Sequence, residues 1–176
     1  RPVPAFGASR ARLLIVGLAP GLHGANRTGR PFTGDFAGIL LYQTLHKFGL
    51  ASRSESIALD DGLTLSDCRI TNAVKCLPPE NKPDTSEIRQ CNAYLQAELV
   101  EFIEQGGSAL LALGGVAHRA ILMALQIKLT LFPFSHGAVH QLDNGLHLYD
   151  SYHCSRYNTQ TKRLTSEMFE QVFVKI

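Results

Sequence analysis

A chain of 176 residues with 45% apolar content can bury a core of its own, and that apolar share, with no low-complexity tract, excludes a disordered polymer. The net charge of +2 does not announce a nucleic-acid binder, although a local basic patch would serve the same purpose. No stretch approaches the roughly 20 apolar residues that cross a bilayer. No signal peptide is visible either, so a cytoplasmic location without membrane contact is expected.

The chain begins at Arg1 rather than Met, and a short preceding segment is expected to have been cut away. Residues 1–10, rich in proline and glycine, read as an extended lead-in. The apolar run Leu13, Leu14, Ile15 and Val16 predicts a buried strand over about 12–18. A long glycine-rich loop follows, residues 17–35. Its five glycines lower steric barriers and let backbone N–H groups approach a ligand. Asn26, Arg27, Arg30 and Asp35 add polar groups to it, and Phe32 adds a flat apolar face. Asp35 also reads as the cap of a helix running to about Leu50. Residues 51–67 read as an irregular insertion, and 68–74 as a second strand.

Prolines at 78, 79 and 83 exclude helix and central strand over 77–83. Asp84 and Glu87 have capping-box spacing. They open a helix to about Glu104, with Ile88, Cys91, Leu95, Leu99 and Phe102 along one side. Residues 109–113 form a third strand, apolar enough to be buried on both faces. Gly114 and Gly115 turn into a helix carrying Val116, Ala120, Ile121 and Leu125. Residues 132–137 are loop. Residues 139–149 read as a hairpin around Asp143, Asn144 and Gly145, whose second strand continues toward His153. A last helix spans about 165–174. Alternating strands and helices predict one α/β domain over 1–176, a three-layer α/β/α sandwich around four parallel strands.

In such a sheet ligands bind beyond the carboxyl ends of the strands. The loop 17–35, Asn72 and the polar stretch 151–164 all belong there. Each also has a plain structural reading. His153 at a strand end is compatible with a structural imidazole, Asn72 with a satisfied turn, and Arg156, Lys162 and Arg163 with a solvated face. No Walker phosphate loop, dinucleotide fingerprint, nucleophile elbow, HExxH or zinc-deaminase motif occurs. The four cysteines, Cys68, Cys76, Cys91 and Cys154, are too few for a secreted disulfide scaffold and read as thiols or metal ligands.

Residues 17–35 closely resemble the first signature of the family 5, or type B, uracil-DNA glycosylases. Tyr152 and His153, then 158–161, then 163–165 resemble the second. Residues 70–76 with Pro78, Pro79 and Cys91 resemble the middle segment shared with family 4. The resemblance implies a uracil-glycosylase fold and excision of uracil from DNA, leaving an abasic site. It implies that Phe32 stacks on the flipped base, that Asn72 reads its Watson–Crick edge, and that His153 lies near uracil O2. By the same resemblance Asp35 holds the attacking water or balances the sugar's positive charge. Backbone around Gly17, Ala19 and Gly21 would line the pocket. Arg156, Tyr157, Asn158, Lys162 and Arg163 would meet DNA. A [4Fe–4S] cluster is implied on Cys76 and Cys91 with two cysteines from an N-terminal segment, and Cys68 and Cys154 read as buried apolar residues. A monomer is expected.

Two departures carry weight. Families 1 and 4 have an acid early in the first loop, where Leu18 and Ala19 stand here, as in family 5. A pocket without that acid is expected to admit other deaminated bases, such as hypoxanthine. In the second signature, Cys154, Tyr157 and Lys162 replace the usual residues, so a catalytically silent DNA-binding relative is the alternative reading. A nucleotide-phosphate enzyme is disfavoured by the missing Walker lysine and by Phe32.

Overall fold

A computed structural model describes residues 2–176 of the chain. Its centre is β2 (Leu13–Gly17), every residue of which is buried. It pairs in parallel with β3 (Cys68–Asn72) on one side and β4 (Ala109–Leu113) on the other; β4 pairs in parallel with β6 (His147–Ser151). Strands covered on both faces need continuous apolar sequence rather than alternation, and β2 and β4 have it.

Side chains alternate across the sheet. Leu13, Ile15, Ile70, Leu111 and Tyr149 enter one core, with Leu41 and Leu45 of α2 (Phe36–Lys47) and Phe169 and Phe173 of α6 (Ser166–Lys175). Leu14, Val16, Leu110, Ala112 and Leu148 enter the other, with Leu95, Leu99 and Phe102 of α3 (Thr85–Glu104) and Ile121 of α4 (Gly115–Ala124). The three layers expected from the sequence are therefore present.

The sheet has six strands rather than four. The strand order is β1-β3-β2-β4-β6-β5, and the two extra strands are antiparallel edges. One is β1 (Phe6–Gly7), inside the stretch read as a plain lead-in. Gly7 has φ +135, and a Cβ there would stand 2.4 Å from the Cys68 carbonyl, so this close approach requires glycine. The other, β5 (Val139–Gln141), is the first arm of the expected hairpin, turning at Asp143–Gly145. The second strand is shorter than 68–74, but Ala73 and Val74 still donate to the Gly17 and Leu18 carbonyls at 2.9 and 3.0 Å. Asp84 and Glu87 form the expected capping box.

The chain leaves β2 for β3 on one side and returns to β4 on the other. That reversal opens a crevice at the carboxyl ends of the strands.

Candidate functional site

The segment leaving β2 folds back over the crevice. After the single turn α1 (Ala25–Thr28), the Thr28 hydroxyl sits 3.1–3.3 Å from the carbonyls of Gly24, Arg30 and Thr33. The Pro31 carbonyl accepts from the Tyr42 hydroxyl at 2.8 Å, and the Thr33 and Ser56 hydroxyls are 2.6 Å apart. Between these anchors Phe32 is held at φ +54, a left-handed conformation that an L-residue keeps only when its surroundings enforce it. Gly38 completes the clamp, since a Cβ there would fall 1.8 Å from the Phe32 carbonyl oxygen.

Arg30, read from the sequence as a polar group of the ligand loop, points the other way. Only 2% exposed, it bonds Ser56 and Asp61 at 2.9 Å and the Leu59 carbonyl at 2.7 Å, with its guanidinium 4.4 Å over the Phe6 ring. The insertion 51–67 is thus the counterpart that braces the Phe32 loop. The paired acids Asp60 and Asp61 were its only sequence signal.

Phe32 and Asp35 meet Asn72, from the end of β3, and His153, beyond β6, around a cavity of about 220 Å³. The backbone from Leu18 to Gly21 forms part of its wall, and Arg156 lies at its edge. Gly17 sits beneath. A Cβ there would stand 2.4 Å from Phe32 Cζ and 2.5 Å from Asn72 Oδ1. The rings of Phe32 and His153 are 6.0 Å apart.

Asn72 is 4% exposed, and its Oδ1 has no hydrogen-bond partner among the described residues. An orphan acceptor in a protein interior costs about 1–3 kcal/mol and calls for an explanation. Asp35 caps α2, its Oδ1 accepting from the Gly38 N–H at 3.0 Å, while Oδ2 stands against the backbone of Gly21 and Gly24. Burial raises the Asp35 pKa, and the Gly38 hydrogen bond partly opposes it. Burial pushes the His153 imidazole down to about 4, so the ring is neutral at physiological pH. Cys154 is fully buried, and desolvation, with the charge of Asp35, drives its thiol up to about 12; it behaves as packing.

The second signature carries α5 (Arg156–Gln160), capped by Ser155. Arg156, Tyr157, Lys162 and Arg163 are all exposed, Tyr157 at 72%. The Arg156 guanidinium lies 5.7 Å over the Phe36 ring and that of Arg163 lies 4.7 Å over Tyr152. Asn158 is different: its Nδ2 donates to the His153 carbonyl at 2.9 Å, so it fixes the histidine backbone. It lines a neighbouring cavity of about 310 Å³ that shares Leu18 and His153 with the first.

Cys76 is exposed and Cys91 half-buried, as metal-accessible thiols must be. Cys68 is buried, its thiol driven up to about 12 by desolvation and then by Asp67. Two accessible thiols fit half of a four-thiolate set, and the buried pair does not supply the rest. Two further polar clusters carry no local sequence signal. Lys75 joins Thr71 and Glu98, at 2.6 Å from the latter; His118, Asp150 and His140 converge on the far side of β6.

Residues 4–176 match the family model described as the uracil DNA glycosylase superfamily. The chain is 49% identical over 175 residues to the type-5 uracil-DNA glycosylase of Thermus thermophilus, covering 99% of this chain and 78% of that one. It is 45% identical over 174 residues to the type-5 uracil-DNA glycosylase of Mycobacterium leprae, covering 98% and 76%. A type-4 uracil-DNA glycosylase of Archaeoglobus fulgidus is 32% identical over 142 residues, covering 80% of this chain and 62% of its own.

Proposed function

The chain belongs to the uracil-DNA glycosylase superfamily, and on that premise we propose that it excises uracil from DNA as a monofunctional repair glycosylase acting through the cavity between β2, β3 and β6. The observation that carries this reading is the buried, unpartnered Asn72 Oδ1 at the cavity wall. Its natural complement is a ligand N–H, and the N3–H of uracil is one. The same amide's Nδ2 donates to O4. Cytosine has a lone pair at N3 and an amino group at C4, so it opposes both contacts.

A base reaches such a cavity only by leaving the stack. Phe32 offers one ring face to it. As the bond from the sugar C1′ to uracil N1 lengthens, negative charge spreads to O2 and positive charge to the sugar. His153, neutral, donates one N–H toward O2; a fixed donor aimed at developing charge contributes about 3 kcal/mol. The Asp35 carboxylate offsets the sugar's positive charge and orients the water. The water oxygen bonds to C1′, its proton is lost to solvent, and uracil departs with its electron pair, taking up a proton. Gly17, Ala19 and Gly21 contribute backbone to the wall.

Arg156, Tyr157, Lys162 and Arg163 form the DNA-facing surface, with Asn158 behind it. Their exposure, with Arg156 at the edge of this cavity and Arg163 at that of its neighbour, supports this role. Apolar Leu18 and Ala19 at the wall leave room for deaminated purines such as hypoxanthine as well. A [4Fe–4S] cluster would take Cys76 and Cys91 plus two thiolates from outside residues 1–176, and its contribution would be structural. No helix among the described residues is long and apolar enough to cross a membrane. Action as a monomer, with all 176 residues in one domain, completes the reading.

The test is base release from single-stranded, U·A and U·G DNA. Abasic product is expected, and Asn72→Ala should lower kcat/KM by about 10–100-fold, the worth of one or two lost hydrogen bonds. Absence of product from all three substrates would sink the reading.

A further inference from the structure

On the opposite flank of β6 from the cavity, three ligand-type side chains converge: His118 of α4, His140 of β5 and Asp150 of β6. Their donor atoms all lie within 4.8 Å of one another. His118 and Asp150 are buried and His140 is half-buried. Asp150 spans the two rings, with Oδ1 2.7 Å from His118 Nδ1 and Oδ2 2.7 Å from His140 Nε2. The Ser135 N–H also donates to Oδ2, at 3.3 Å.

The donor count at His118 does not close with a neutral ring alone. Its Nε2 is 2.6 Å from the Phe132 carbonyl, which can only accept, so Nε2 carries the proton. A neutral ring then turns the bare lone pair of Nδ1 toward a carboxylate oxygen that is also an acceptor. Two acceptors at that distance, away from water, need a positive charge between them.

We propose that His118, His140 and Asp150 form a binding site for a divalent cation of the zinc class. Two imidazole nitrogens and one carboxylate oxygen are ligands that zinc takes readily. The Phe132 carbonyl behind His118 is the outer partner that holds the ring in its ligating tautomer. Bonds of about 2.0–2.1 Å at tetrahedral angles put neighbouring donors about 3.3 Å apart, wider than the present contacts, so the rings move outward on binding. Water takes the remaining position from the half-exposed His140 side. The ion fastens the segment carrying Phe132, Ser135 and His140 to β6, three residues before His153, and it is independent of the chemistry in the cavity.

The test uses Co²⁺ as a spectroscopic probe on the chelator-treated chain, with Cys76→Ser and Cys91→Ser removing the accessible thiols. One equivalent should give visible d–d bands without a thiolate-to-cobalt band, and zinc should displace it. Excess zinc should raise Tm by about 5 °C. His140→Gln, on the edge strand β5, should keep the circular dichroism of the fold and lose the d–d bands. Absent bands in the parent, or equal bands in His140→Gln, overturn the proposal. Nitrogen-15 NMR of His118 gives a second reading that needs no variant. A metal-shifted Nδ1 supports the site, and N–H signals at both ring nitrogens in zinc-saturated protein refute it, a second proton then being the missing charge.

Discussion

The rings of Phe32 and His153 lie with centroids 6.0 Å apart at a 32° tilt. A third ring between them would need about 7 Å, two contacts of roughly 3.5 Å each. On the proposed reading, a base would therefore stack on Phe32 and meet His153 at its edge rather than lie between the two. The imidazole would then face an exocyclic oxygen, the geometry of a hydrogen-bond donor rather than of a stacking partner.

Gly17 sets this arrangement from below. An added methyl would fall 2.4 Å from Phe32 Cζ and 2.5 Å from Asn72 Oδ1. Phe32 is held by its own loop and Asn72 is closely buried, so neither yields freely. Gly17→Ala should destabilise the protein by about 1–3 kcal/mol, as overpacking does. It should also lower kcat/KM by about 100-fold, because displacement near 1 Å is that costly to a positioned site. Urea unfolding and base-release kinetics read the two effects separately. A fully active Gly17→Ala would show that Phe32 and Asn72 do not jointly shape the bound base.

Asp35 has an observed role as a helix cap and a proposed role in the chemistry, and substitution separates them. As the cap of α2 it accepts from Gly38, and asparagine caps nearly as well as aspartate, whereas alanine costs about 1 kcal/mol. In the proposed mechanism only the charge bears on the reaction. Asp35→Asn and Asp35→Ala should both lose about 100-fold in turnover, and only the alanine variant should lose the cap. The folded-state pKa is raised, so at neutral pH the ionised carboxylate is a cost to the fold. Asp35→Asn should then be more stable than the parent at pH 7, the difference closing as pH falls from the raised pKa to the ordinary carboxylate value. Activity of the parent should fall with acid through the raised pKa, and that limb should vanish in Asp35→Asn.

Burial holds the His153 imidazole low, at about 4 against an ordinary 6.5. The unfolded chain takes up the proton first. Stability is therefore full above about 6.5 and declines as pH falls toward 4, and His153→Gln should flatten that part of the curve. NMR titration should show no His153 inflection between pH 6 and 7. A normal inflection there would mean that an imidazolium, not a neutral ring, faces the base. His153→Gln should also lower turnover by about 100-fold.

The parallel strands were legible because a strand buried on both faces must be apolar throughout, as 109–113 is. The capping box at Asp84 and Glu87 was legible because it is local. The members of the cavity were legible through a long signature and through the rule that places ligands at strand ends. What the sequence hid was pairing at a distance. The edge strand at Phe6 and Gly7 is only two residues long and depends on β3 for its hydrogen bonds. The inward turn of Arg30 depends on an aspartate 31 residues away. His118, His140 and Asp150 lie on three different elements, so no spacing rule links them. Asn158 sits in the stretch expected to meet DNA, yet spends its amide on the backbone of His153.

The Arg30–Asp61 pair yields the last prediction. Both side chains are buried, at 2.9 Å. Burial works to raise the Asp61 pKa, but the N–H groups of Ile57 and Leu63, the Arg30 guanidinium and the Ala58 N–H outweigh it and hold the carboxyl well below its ordinary range. Stability from this pair is present above about pH 4 and is lost as pH falls toward the depressed value. Asp61→Asn leaves Arg30 buried without its counter-charge, which costs about 3–5 kcal/mol. Replacing both partners, as in Arg30→Met with Asp61→Leu, should recover much of that loss, because no charge is then stranded. Activity should not recover with it. The pair ties the insertion to the loop that holds Phe32 at φ +54, and a repacked apolar substitute supplies volume without the bonds to Ser56 and Leu59 that set the loop's course. Stability restored together with full turnover would show that Phe32 is held by its own loop alone.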